Sequence, residues 1–136
     1  MITITIPGML RGKGRPRFSS FGGRPRAYSD EKTVTAENWV RSCGRDAMAG
    51  APLDGPVTVK VEIAVEVPQS WSKRKRADAL AGGLWPTSKP DLDNCAKLIC
   101  DALNGIVWRD DKQIVRMVVG KRYAEQAQTV LTVAKV

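Results

Sequence analysis

VTVKVEIAVEV, Val57 to Val67, is the stretch that decides the fold. Val57, Val59, Val61, Ile63, Val65 and Val67 stand on one side, with mostly Thr, Lys and Glu between them. Successive side chains of a strand point to opposite faces, so this period of two predicts a strand with one buried and one solvated face. Ile2, Ile4 and Ile6 alternate with Thr3 and Thr5 in the same way, and Pro7-Gly8 ends that first, shorter strand. Two more β-rich stretches, about Ile114 to Tyr123 and Gln128 to Val136, close the chain on either side of a polar turn at Glu125 and Gln126.

Between the strands the period changes. Ala36, Val40, Cys43 and Ala47 recur at helical spacing, which predicts a helix from a cap at Ser29 or Asp30 to about Met48, with Gly50 following. Ser70 or Ser72 can cap a short helix carrying Lys73, Arg74, Lys75 and Arg76, which Gly82-Gly83 stops. Leu92 to Asn104 reads as an amphipathic helix, with Leu92, Cys95, Ala96, Ile99, Ala102 and Leu103 inward, Asp93, Lys97, Asp101 and Asn104 outward, and Gly105 as its stop. This order predicts an α+β fold: a small mixed, largely antiparallel sheet with helices packed on one face. With 136 residues and 43% apolar content, the chain is expected to form a single domain, 1–136.

Charge and residue counts narrow the chemistry. A formal charge of +8 favours a polyanionic partner. There is no histidine, which excludes Ser-His-Asp and Cys-His nucleophilic schemes. Cys43, Cys95 and Cys100 are odd in number and lack CxxC spacing, so neither a disulfide framework nor a zinc module is indicated. No basic leader precedes an apolar run and no 18-residue apolar stretch exists, so the protein is expected to be soluble and cytoplasmic, with no membrane partner.

Against this basic background, Asp91, Asp93, Asp110 and Asp111 crowd into a short span with Lys97. Carboxylates at that density repel one another unless they are well solvated or a hard cation such as Mg2+ offsets them. Asp91 stands at the helix N-terminus, where the dipole favours the ionised form. Asp93 and Lys97 are one turn apart, about 6 Å along the axis, so their heads can meet. If the Asp110-Asp111 turn folds back over the helix start, Asp91, Asp93 and one or both of Asp110 and Asp111 become oxygen ligands. The same residues also fit a structural reading. Asp-x-Asp-Asn is a common capping pattern, Asp-Asp-Lys is a common turn, and an i,i+4 ion pair is worth only about 0.2–0.5 kcal/mol. Asp101 fits a solvated or helix-packing role.

Lys89-Pro90-Asp91-Leu92-Asp93-Asn94, Lys97, Asp101-Ala102-Leu103-Asn104-Gly105 and Trp108-Arg109-Asp110-Asp111 followed by Gln113-Ile114-Val115 resemble the RusA family of Holliday junction resolvases, often carried by phages and prophages. Gly14-Arg15-Pro16-Arg17-Phe18 and Ser70-Trp71-Ser72-Lys73 extend the likeness over nearly the whole chain. The resemblance implies a RusA-like α+β homodimer that binds four-way DNA junctions and cuts two opposed strands with Mg2+, or Mn2+ as substitute. It places the essential acids at Asp91, Asp93 and Asp111, an accessory acid at Asp110 and the essential lysine at Lys97. Pro90-Asp91 with Asp110-Asp111-Lys112 also satisfies a loose PD...(D/E)xK nuclease pattern, in which Lys112 is the catalytic lysine; we keep Lys97 and read Lys112 as a turn residue.

Phosphate contacts are expected from Lys13, Arg15, Arg17, Arg24 and Arg26 in a mobile basic loop, and from Lys73, Arg74, Lys75, Arg76 and Lys89. Trp39 and Trp108 are expected in the core, and Phe18 and Phe21 on DNA. Two other readings share these features: a nuclease for flaps or forks, and a non-catalytic DNA-binding module whose acids are structural.

Overall fold

The computed structural model describes residues 1–14, 17–19, 26–28 and 31–136, with 17–19 and 26–28 by their backbone alone. Ser29, Asp30, Arg15, Arg24 and Phe21 lie outside the described residues, as do the side chains of Arg17, Phe18 and Arg26. In chain order the elements are β1 (Ile2–Pro7), β2 (Arg17–Ser19), β3 (Arg26–Tyr28), α1 (Glu31–Ala47), β4 (Val57–Glu66), α2 (Lys73–Leu80), α3 (Leu92–Ala102), a 3-10 helix (Asp111–Gln113), β5 (Ile114–Ala124) and β6 (Gln128–Lys135).

Four strands form one mixed sheet in the order β1, β6, β4, β5. The β1/β6 and β6/β4 pairs are antiparallel, and β4/β5 is parallel. A parallel neighbour needs a crossover, and α2 with α3 supplies it. The turn after β5 then steps past the end of β4, so the two closing strands flank β4 instead of pairing with each other. Val57 pairs with Ile114 and Thr58 with Arg116, which leaves Val115 as a bulge, 62% exposed.

The alternation read from the sequence sets the two faces. Ile4, Ile6, Val59, Val61, Ile63, Leu131 and Val133 are buried, whereas Thr3, Thr5, Lys60 and Glu62 are exposed. Against the buried face lie Val40 of α1 and Cys95, Leu98, Ile99 and Ala102 of α3. The two helices cross closely at Gly44: a Cβ built there meets Leu103 Cδ2 at 2.6 Å. Nearby, the Arg41 guanidinium donates to the Ala102 carbonyl at 3.1 Å, placing a cation at the C-terminal end of α3.

Local signals set several boundaries. Ser72 Oγ accepts from the Lys75 amide at 3.2 Å to cap α2, and Gly82 takes a positive φ of 89° just beyond it. Helix α3 ends at Ala102, two residues before the expected Asn104. Two expectations are corrected. The basic stretch from Arg11 to Arg26 contains a short antiparallel ribbon, Arg17 opposite Tyr28 and Ser19 opposite Arg26, because three-residue strands are too short to show a period among glycines and prolines. Trp39 is 48% exposed, since its neighbour Val40 takes the inward position on α1; the indole lies outside and donates to the Pro7 carbonyl at 3.0 Å. Trp108 is fully buried, as expected.

Candidate functional site

Helix α3 carries the site because its two faces do different work. The inner face is fixed in the core by Cys95, Leu98, Ile99 and Ala102, all at 0% exposure. That leaves Asp93, Lys97, Asp101 and Asn104 on the outer side, in the arrangement expected from the spacing.

Asp91 occupies the N-cap position with extended backbone, yet its side chain makes no capping hydrogen bond. It is exposed, and the Asn94 amide approaches it only at 3.5 Å. The capping reading therefore does not account for this carboxylate. Asp93 and Lys97 are also exposed, and among the described residues they form no ion pair with each other. Solvation of both heads outweighs the small gain of an i,i+4 pair on an open face. Lys121 holds the chain leading to Asp91: its ammonium donates to the Ser88 and Pro90 carbonyls at 2.5 and 2.9 Å. Nothing in the alternation of β5 distinguished Lys121 from a solvated lysine.

The Asp110-Asp111 turn is built differently. Asp110 caps the 3-10 helix by accepting from the Lys112 amide at 2.9 Å, and Gln113 Oε1 reaches back to the amides of Arg109 and Asp110 at 2.8 and 3.0 Å. The other end of Gln113 donates to the carbonyls of Leu53 and Gly55 at 2.8 and 2.9 Å. One side chain thus anchors the acidic turn to the loop before β4. Gln113 stood in the sequence only as part of a motif, and a capping box three residues long was the available signal. Lys112 is exposed, and its backbone amide donates to Asp110.

The two acids of this turn differ in acidity. The Lys112 amide holds Asp110 below the usual carboxylate range. Asp111 is pushed above it, first by burial, then by its hydrogen bond to Asp110 and by the charges of Asp110 and Asp101. Asp111 and Asp101 both act on the Cys100 thiol, which burial first of all pushes up to about 11. Cys95 also rises to about 11, again chiefly by burial, with Asp91 and Asp93 adding to the rise and Lys121 opposing it.

The acids therefore stand as two groups along α3. Asp91 and Asp93 lie at its start, while Asp111, bonded to Asp110, faces Asp101 at its C-terminal half, so the acidic turn folds back against the end of α3 and not over its start; Lys97 lies between in sequence. Among the described residues no three acid or thiol side chains gather round a single point. The donor chemistry nonetheless suits a hard divalent cation. The candidate donors are carboxylate oxygens, no imidazole exists, and the nearby thiols are held protonated, which disfavours soft-metal ligation.

Basic groups reach this region from several segments. Arg11, Lys13 and Lys89 line a notch of about 240 Å³ beside Asp91 and Asn94. Arg11 was not among the expected phosphate contacts. Lys13 was, but its ammonium is engaged with Asp101 and with Glu37, the latter at 3.4 Å. On α2, Lys73, Arg74 and Lys75 are exposed and Arg76 is half-buried; Lys75 lies 4.0 Å from the Trp71 ring centroid. Trp71 packs edge-on against Tyr123, and Trp85, 69% exposed, is the most open indole. Among the described residues no helix is long and apolar enough to cross a membrane.

The family model described as Endodeoxyribonuclease RusA matches residues 7–134. The chain is also similar to the uncharacterized protein YqaN of Bacillus subtilis (strain 168), at 32% identity over 137 residues, covering 99% of this chain and 96% of that protein. The match spans the acids, the lysine and the α3 helix that presents them, and the chain belongs to the RusA family of endodeoxyribonucleases, which act on Holliday junctions in DNA recombination.

Proposed function

We propose that this protein is a divalent-metal-dependent resolvase that binds four-way DNA junctions as a homodimer and nicks two opposed strands symmetrically, in recombination and repair in the cytoplasm. The observation that carries this reading is the unengaged charge at the start of α3. Asp91 does not cap, Asp93 and Lys97 do not pair, and all three face outward from a helix locked into the core. Asp101 and Asp110, by contrast, have structural partners.

Asp91, Asp93 and Asp111 would supply the carboxylate oxygens for Mg2+ or Mn2+, with Asp110 as accessory; standing in two groups along α3, they would have to be drawn together by the ion and the DNA phosphate to share one metal. When bound, the ion supplies electrostatic stabilisation of the phosphodiester under attack. Lys97, exposed one turn after Asp93, donates to a non-bridging phosphate oxygen as negative charge develops there. Asp110 and Gln113 keep the acidic turn in place. Arg11, Lys89 and the basic residues of α2, with Arg15, Arg17, Arg24 and Arg26, hold the phosphates of the junction arms. A C2 dimer offers two equivalent sites to a branched substrate of approximate two-fold symmetry, so paired cuts need only one kind of chain.

The test is Mg2+-dependent cleavage of a mobile four-way junction, with fork, flap and linear duplex substrates of equal length. Wild type should give paired symmetric nicks in the junction, while Asp93→Asn and Lys97→Ala should bind it without cutting and Lys112→Ala should retain turnover. Binding without metal-dependent cutting by wild type would overturn the enzymatic reading, and a preference for flaps would overturn the junction assignment.

A further inference from the structure

The segment between β1 and the basic stretch is fastened onto α3 by contacts unlike those of a solvated loop. The Lys13 amide donates to the Asn94 carbonyl at 3.1 Å, and the Gly14 amide donates to Thr33 Oγ1 at 3.0 Å. At Gly12 the approach is close enough that a built Cβ falls 2.8 Å from Asn94 Cβ, so only glycine fits without displacement. Lys13 then extends to Asp101 on α3 and Glu37 on α1, joining three parts of the chain through one ammonium. Its side chain is only 19% exposed. An exposed phosphate contact has no reason to be invested in two protein carboxylates.

We propose that Lys13 is a positioning residue: through Asp101 and Glu37 it seats the 11–14 segment against the N-terminal half of α3, and so fixes the wall of the notch that faces Asp91. The proposal rests on the nuclease reading for what the notch does, but the tie itself is a property of the folded chain. Two consequences follow from the geometry. Arg11, on the same wall, is presented beside Asp91 and Lys89, where a phosphate next to the cut would be gripped. Lys13 also offsets the charge of Asp101, which otherwise adds to the carboxylate repulsion at Asp111. Consistent with the tie, the hydrogen bond to Asp101 holds the Lys13 ammonium above the usual lysine range, against the opposing effect of burial.

The experiment compares wild type, Lys13→Ala and Lys13→Arg by amide hydrogen exchange without DNA, and by Mg2+-dependent junction cleavage resolved into kcat and KM. Lys13→Ala should speed exchange at the Lys13-position and Gly14 amides about tenfold and lower kcat about tenfold, with KM within about twofold of wild type. Lys13→Arg, which keeps the cation, should recover most of both losses. A Lys13→Ala variant with unchanged exchange overturns the tie. One that raises KM and flattens the salt dependence of binding at unchanged kcat makes Lys13 a phosphate contact and also overturns it. If wild type cuts no junction, the nuclease reading fails, and the exchange comparison alone decides whether the tie exists.

Discussion

Gln113→Ala removes four hydrogen bonds with one substitution, and the structure says where each loss falls. The bonds to the Arg109 and Asp110 amides and to the Gly55 carbonyl are exposed, so water replaces much of each; the bond to the Leu53 carbonyl is partly buried. Taking about 0.5 kcal/mol for each exposed bond and about 1 kcal/mol for the partly buried one gives a loss of about 2–3 kcal/mol. For a chain of this size that corresponds to a fall in Tm of about 6–12 °C. The acidic turn loses its anchor to the loop before β4, so cleavage should fall as well, although Asp91, Asp93 and Lys97 are untouched. Urea or thermal denaturation measures the first effect and junction nicking the second.

Gln113→Glu gives the reasoning a sharper edge. That variant keeps an acceptor for the Arg109 and Asp110 amides but sets a carboxyl against the carbonyls of Leu53 and Gly55. The two amides favour the ionised acid, but the two carbonyl oxygens and the carboxylates of Asp110 and Asp111 in the same turn oppose it, and together these set its folded-state pKa above the unfolded value of about 4.3. Its deficit relative to wild type is therefore full at neutral pH and shrinks as pH falls through the raised pKa, where the protonated acid can donate again. A Gln113→Ala variant within about 0.5 kcal/mol of wild type, or a Gln113→Glu deficit independent of pH, would show that the turn does not depend on this side chain.

Asp111→Asn should abolish cutting while raising Tm, because ionised Asp111 faces burial and the charges of Asp110 and Asp101; a lowered Tm would contradict that balance. The Thr129 hydroxyl is fully buried between the paired positions of Ile6 and Ile63 and finds no partner among the described residues, so Thr129→Val should stabilise by about 1–2 kcal/mol in urea denaturation. Native protein at pH 8 should react slowly with a thiol reagent at Cys95 and Cys100, both pushed up to about 11, and readily after unfolding; fast native labelling at either site would contradict its burial.

The features legible in the sequence are those whose cause is local. The alternation of β4, the inner stripe of α3, the Ser72 cap and the stop at Gly82 each follow from residues within a turn or two, and the structure repeats them within a residue or so. Strand order was out of reach, because nothing near Ile114 or Gln128 records that β4 will lie between them. The outward set on α3 was legible for the same reason as its inward set. The partners of that set were not: Lys13 meets Asp101 across 88 residues and Gln113 meets Leu53 across 60, and each of these polar side chains looks solvated when read in place.

That distinction bears on how such a site can vary without losing its fold. The inner stripe of α3 couples the acids to global stability, so changes there should unfold the protein before they inform about chemistry. The segments that meet the outer face are each tied to the rest of the fold by one long polar side chain, beside their local hydrogen bonds: the 88–90 chain by Lys121, the acidic turn by Gln113, and the 11–14 segment by Lys13. These ties share no partner, so loosening one leaves the others in place, and stability effects should add within about 0.5 kcal/mol. On the proposed nuclease reading, cleavage depends on all three at once, because one phosphate would have to meet Asp91, Lys97 and the basic wall together. A small stability cost at any single tie can therefore carry a large cost in turnover, which is the physical signature that separates residues positioning this site from residues building its core.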